Sequence, residues 1–218
     1  MFMDVSYLPI MFGCVAALFI VALLVMRRME QRRTEALRNE AARLGLSFEE
    51  KGAGLEQEDF YMLPLFSQGH TKKFRNVMRN DDEILFDYTY TIGGGKNQSI
   101  VQQSVAAFRE TGRDLPHFQL KPENLGDRIA AKFGGQDIDF PEDTEFSSAV
   151  RLRGIGELKI REVFDSRVRR VVLDNPGWDI QGTREWLIAF RKRQRPEPER
   201  FTEFATEARR IAERFAAR

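Results

Sequence analysis

Residues 93–99 read GGGKNQS, a glycine run followed by a lysine. That combination is the raw material of a phosphate-binding loop, in which backbone N–H groups cradle phosphate oxygens and the lysine neutralises them. The spacing does not fit. The phosphate-loop pattern needs a glycine five residues before the Gly95-Lys96 pair, and the chain has Tyr90 there. Such a loop also leads from a strand into a helix, whereas this one joins two strand-like runs. The glycines read as a hairpin turn. Gly93, Gly94, Gly95, Lys96 and Asn97 are therefore candidate interaction residues, a turn whose N–H groups and lysine can meet an anion or a protein partner.

Asp137, Asp139, Glu142, Asp143 and Glu145 form an acidic cluster. A calcium loop wants oxygen ligands at alternating positions and a glycine at its sharp turn. Phe140 and Pro141 interrupt that series. His70 and His117 are the only histidines, and neither stands in a metal-type spacing. A hydrolase would need His117, an acid from 137–145 and Lys96 or Ser104 to converge. Asp81-Asp82-Glu83 reads as a solvated turn before a strand. No coherent catalytic set, cofactor motif or metal motif emerges from these residues.

The elements that position them begin with an uncharged apolar run, residues 7–26, YLPIMFGCVAALFIVALLVM. About 20 residues of helix span about 30 Å, the thickness of a bilayer's hydrocarbon core. The run lacks the basic leader and small-residue cleavage site of a signal peptide. It also lacks the polar face of a core helix. Arg27, Arg28, Arg32 and Arg33 flank it on one side only. Basic residues stay cytoplasmic, so the sequence predicts a single-pass inner (plasma) membrane protein with its first residues outside and the rest cytoplasmic. These arginines can also reach anionic headgroups.

Composition narrows the function classes. The net charge is +1, with 34 basic and 33 acidic residues, which argues against a nucleic-acid binder. The one cysteine, Cys14, lies in the apolar run, so a disulfide within the chain or a cysteine nucleophile in the remainder is excluded. Of the 18 phenylalanines, 15 are spread through the rest of the chain and supply a hydrophobic core.

Residues 27–45 read as a juxtamembrane helix ending at Gly45, with Ala36, Leu37, Ala41 and Leu44 as a narrow apolar stripe. Too few heptads support a dimerising stalk, so the stripe is expected to pack on the domain. Short β runs follow at 46–48, 60–66, 71–79, 83–92 and 97–109, then 117–120 and 145–153. In 83–92, Ile84, Phe86, Tyr88, Tyr90 and Ile92 alternate with Glu83, Leu85, Asp87, Thr89 and Thr91, a pattern that predicts an antiparallel strand with one covered face. Helices are expected near 122–133, over 157–173 with a break at Asp165-Ser166, and from Pro196 and Pro198 onward. In that last helix Phe201, Phe204, Ala205, Ala208, Ile211, Ala212 and Phe215 form a stripe. Residues 178–181 and 185–191 read as a hairpin around Gly182-Thr183. The sum is an α+β domain over 46–218, a mainly antiparallel sheet with packed helices.

Several stretches together resemble a bacterial family of small membrane-anchored proteins with no assigned activity. They are Phe86-Asp87-Tyr88, Gly93 to Lys96, Leu115-Pro116 with Phe118 and Leu120, Pro122-Glu123, Asp137 to Phe140, and Phe146-Ser147. The chain departs at Ser104, where that family usually has threonine. The likeness covers residues 60–190. It implies a bacterial membrane location and one domain, and supplies no active site. The expectation from sequence is a non-enzymatic interaction or scaffolding module whose partners are the lipid bilayer and a membrane-associated protein, with homo-oligomerisation left open. The alternatives are the hydrolase above and a lipid-headgroup sensor using basic residues 27–33 and 72–75.

Overall fold

The structure is a computed structural model and describes residues 8–109, 114–123 and 137–216. The helix expected near 122–133 falls almost wholly outside these residues. Helix α1, Leu8–Leu44, runs without interruption for 37 residues. It is the one described helix long and apolar enough to cross a membrane. Its large apolar side chains from Met11 to Met26 are exposed, Leu18 by 71%. The helix then turns a different stripe inward, burying Thr34, Leu37 and Ala41. Gly45 ends it with φ 72°, a left-handed conformation that glycine adopts without strain.

Eight strands form one sheet: β1 (Ser47–Lys51), β2 (His70–Arg79), β3 (Glu83–Ile92), β4 (Ser99–Arg109), β5 (Leu115–Pro122), β6 (Val150–Gly154), β7 (Asp179–Arg184) and β8 (Trp186–Phe190). Their spatial order is β1-β2-β3-β4-β8-β7-β5-β6, and every pairing is antiparallel. Five more helices are described: α2 (Pro64–Ser67), α3 (Thr144–Ala149), α4 (Glu157–Val163), α5 (Ser166–Asp174) and α6 (Phe201–Phe215). The fold is α+β.

The sheet is covered on both faces, not on one. Period-two alternation sends Ile84, Phe86, Tyr88 and Tyr90 of β3 into an aromatic core capped by Leu55, Phe60, Leu63, Leu65 and Phe66. Leu85 points the other way, into a second core with Leu37 and Ala41 of α1, Phe118, Phe146, Phe164 and the apolar stripe of α6. All seven stripe residues of α6 are buried. The polar-looking face of β3 is thus an interior face from Glu83 to Asp87, beneath α1 and α6.

Three local expectations are corrected. Residues 60–66 are not a strand. They form a 3₁₀ turn, Asp59–Met62, and then α2 with Pro64 at its start, and this segment lids the aromatic core. Residues 144–149 are a short helix, because the Asp143 carboxylate accepts the Phe146 N–H at 3.1 Å as an N-cap, and the strand starts only at Val150. The β7–β8 turn is Arg184-Glu185, and Gly182 lies inside β7 opposite Leu187. A Cβ there would collide with the Phe118 ring, so this glycine is a packing cut-out and not a turn residue. The break in the 157–173 helical segment is where sequence places it: Asp165 caps α5 by accepting the Arg167 and Val168 N–H groups.

Candidate functional site

Asp87 is the side chain around which the most distant parts of the chain meet. It lies mid-strand in β3 and is 3% exposed. Arg33 of α1 donates to it through Nε (2.9 Å to Oδ2) and Nη2 (3.0 Å to Oδ1). Arg195, from the segment before α6, donates through Nε at 3.2 Å. Asn76 Nδ2 of β2 and Ser104 Oγ of β4 complete the set at 2.9 and 2.7 Å. Arg33 also donates to the Pro196 carbonyl at 2.6 Å, and Arg195 forms a fork on Glu30 of α1 with both bonds at 2.7 Å. One buried carboxylate therefore ties α1 to three strands and to the 191–198 segment.

Electrostatics keep this node charged. Burial by itself would raise the Asp87 carboxyl, but the Arg33 hydrogen bonds and charge, the Arg195 charge and the Asn76 bond outweigh it and hold it below the usual carboxylate range. The Arg195 fork likewise lowers Glu30. A carboxylate that accepts five hydrogen bonds has no lone pair directed at a substrate, so Asp87 is not placed to act as a general base. Ser104 meets a carboxylate with no histidine between them.

The residues that a hydrolase would need do not converge. Ser104 is in β4, His117 in β5, and β8 and β7 lie between. Three strand spacings are about 14 Å. The register adds a further offset, since Phe118 is level with Gly182, Leu187 and Phe108, not with Ser104. Lys96 is exposed in the β3–β4 turn. Within the acidic cluster, Asp137 is paired with Arg151 and Arg153 (3.3 and 2.5 Å), and Asp143 with Arg169 (2.7 Å). Arg161 and Arg169 both lie over the Phe140 ring. Among the described residues no group of three metal-ligating side chains gathers.

The turn at 93–97 is exposed and joins β3 to β4 in unbroken register from Glu83↔Phe108 to Ile92↔Ser99. Gly93 and Gly95 need positive φ (81° and 57°), whereas Gly94 is extended. Arg27, Arg28 and Arg32 are exposed on α1. Arg33, grouped with them in sequence as a membrane flank, instead faces Asp87. Sequence reasoning missed Asp87 as a site. Its signal was a carboxylate on the same strand face as Leu85, a face that had to be buried if Leu85 was.

Two open clefts flank the Glu30–Arg195 fork. One, about 370 Å³, is lined by Arg191, Arg195, Arg200, Glu203 and Glu207 among others. The second, about 350 Å³, lies between α1 and the β1–β2 edge with Arg27, Glu30, Glu35, Arg38, Glu50 and Arg75. Both are lined mainly by charged side chains, unlike the mostly apolar lining of a small-molecule site.

Neither a protein-family model nor a curated protein matches this sequence. Among solved structures, the crystal structure of the mycobacterial trehalose monomycolate transport factor A, TtfA, is similar, with a TM-score of 0.59 over 84% of this chain and 92% of that one. The two are 11% identical, so the likeness is one of fold.

Proposed function

We propose that this chain is a single-pass inner-membrane protein whose cytoplasmic domain is a non-enzymatic interaction or scaffolding module, presented to another membrane-associated protein in a fixed pose. The observation that carries this reading is the Asp87 node. An apolar helix suited to a membrane runs on, without a hinge, into a segment locked to the sheet by Arg33, Glu30, Leu37 and Ala41. A catalytic domain needs only a tether, whereas a scaffold benefits from a set height and orientation. A protein of the same fold is named for a part in transport, and a service role beside membrane transport machinery is in keeping with that. The resemblance to a bacterial membrane-anchored family belongs to the same reading.

Affinity purification from gently solubilised native membranes, with mass spectrometry, tests it. The expected result is a stoichiometric membrane-associated partner that is lost when a Gly-Ser insert between Met29 and Glu30 frees the domain while leaving it tethered. Recovery of the protein alone, or a partner indifferent to the insert, speaks against the scaffold.

The headgroup-sensor reading, through basic residues 27–33 and 72–75, has an observation of its own: Arg27, Arg28, Arg32 and Lys73 are exposed.

A further inference from the structure

The direction of α1 fixes which end of the sheet faces the anchor. Arg38 lies 5.2 Å over the Phe48 ring, and Phe48 is level with Met78 and Leu85. Arg33 binds Asp87, which is level with Arg75. From residue 38 to 33 the helix advances about 7.5 Å, and from residue 85 to 87 the strand advances about 7 Å. The two elements therefore lie side by side with opposite chain directions. Beyond Asp87, β3 continues to Ile92 for about 17 Å. Beyond Arg33, α1 reaches Met26 in about 10 Å. The β3–β4 turn accordingly extends to the level at which the apolar stretch of α1 begins.

Charge is polarised along the same direction. The β2–β3 turn at the far end carries Asp81 and Asp82, whereas Glu83, the first residue of β3, is buried and held by Arg209. At the anchor end, beyond Asp87, no Asp or Glu occurs from 70 to 74 or from 88 to 103. Lys73 is exposed and paired with Thr89, Lys96 is in the turn, and Arg193 lies 3.5 Å from Ser99. Among the described residues none of these three cations meets a carboxylate. At the same end Ile100, 65% exposed, is paired with Thr91. The nearby acids Glu30, Glu35 and Glu50 lie in the cleft with Arg27, Arg38 and Arg75, and Glu30 is held by Arg195.

We infer that this end of the β2–β3–β4 segment is a second membrane contact, in which Lys73, Lys96 and Arg193 engage anionic headgroups of the bilayer that α1 crosses and Ile100 sits at the interface. The inference rests on the anchor reading above and not on the protein partner. Continuity with α1 places the surface at the bilayer, and its charge complements anionic lipid. A protein interface would instead be expected to centre on aromatic side chains and to be poor in lysine.

The test uses the full chain with Cys14→Ser in lipid nanodiscs, labelled with a fluorophore at Asn97→Cys or, at the opposite end of β3, at Asp81→Cys. Spin-labelled phosphatidylglycerol and spin-labelled phosphatidylcholine serve as headgroup quenchers at equal mole fraction. The expected result is strong quenching at 97, greater with phosphatidylglycerol, and little at 81. The triple variant K73E/K96E/R193E should lose the phosphatidylglycerol preference while still eluting with the disc and keeping its native tryptophan fluorescence. Equal quenching at 97 and 81, or no preference between the two lipids at 97, overturns the inference. Failure of the unsubstituted chain to elute with the disc would overturn the anchor reading itself, which separates the two failures.

Discussion

Replacing Asp87 with alanine should be the most damaging single change at the α1–sheet junction. The structure gives the magnitude. The Asp87 side chain is 4% exposed, and those of Arg33 and Arg195 are 10% and 15% exposed. Alanine leaves Arg33 with only the Pro196 carbonyl and leaves Asn76 and Ser104 without their acceptor, whereas Arg195 keeps Glu30. Removing one partner of a buried pair typically costs about 3–5 kcal/mol, because the other charge stays desolvated. Arg33→Ala should fall in the same range. The double variant should cost less than the sum, with a coupling of about 1.5 kcal/mol or more. Denaturant titration of the full chain in mild detergent, followed through the buried Trp178 and Trp186, reads these values. Hydrogen exchange over residues 30–44 then shows whether α1 undocks before the sheet unfolds. A loss below about 1 kcal/mol for Asp87→Ala, the size of an exposed ion pair, would refute the reasoning.

Other consequences can be checked with the same methods. Because the Asp87 carboxyl is held low in the folded protein, its stabilisation is present above the unfolded value of about 3.9 and is lost as pH falls through the lower folded value. Stability of the unsubstituted chain should thus drop more steeply below about pH 4 than that of Asp87→Asn, and parallel acid limbs in denaturant titrations would contradict this. In the β3–β4 turn, Gly93→Ala should cost about 1–2 kcal/mol, since φ is 81° and a Cβ would meet the Asn97 carbonyl, while Gly94→Ala should be within about 0.5 kcal/mol of neutral. Gly182→Ala should destabilise by about 1–3 kcal/mol through collision with Phe118, and thermal unfolding measures it.

Much of the fold could be read from periodicity. Strand 83–92, the α6 stripe, the break at Asp165-Ser166 and the stop at Gly45 each follow from local rules that tertiary context leaves unchanged. The misreadings have local causes too. Residues 60–66 are a short apolar run, for which strand and helix periods cannot be separated, and Pro64 starts a helical turn there. At 144–149 the cap supplied by Asp143 outweighs the β-like run that follows. Gly182 looked like a turn because the ring that needs its missing Cβ, Phe118, comes from a strand 64 residues earlier.

Asp87 was hidden for a related reason. Beside Glu83, Thr89 and Thr91 it looked like one residue of a solvated face. That face is buried because α6 and α1 lie over it, α1 bringing a matching arginine from 54 positions away. The turn 93–97 was legible as a turn. What it faces depends on the direction of α1 across the sheet, which no local pattern encodes.

The central claim is that the anchor helix and the domain are one rigid unit locked at Asp87. Its most direct test is a pulsed electron–electron dipolar distance measurement on the Cys14→Ser chain in nanodiscs, with spin labels at Met29→Cys on α1 and Asp81→Cys at the far turn. The account predicts a single narrow distribution near about 25 Å, from the helix and strand rises between those positions, which broadens in Asp87→Ala. A broad distribution in the chain with Asp87 intact, or a narrow one unmoved by its loss, would contradict it.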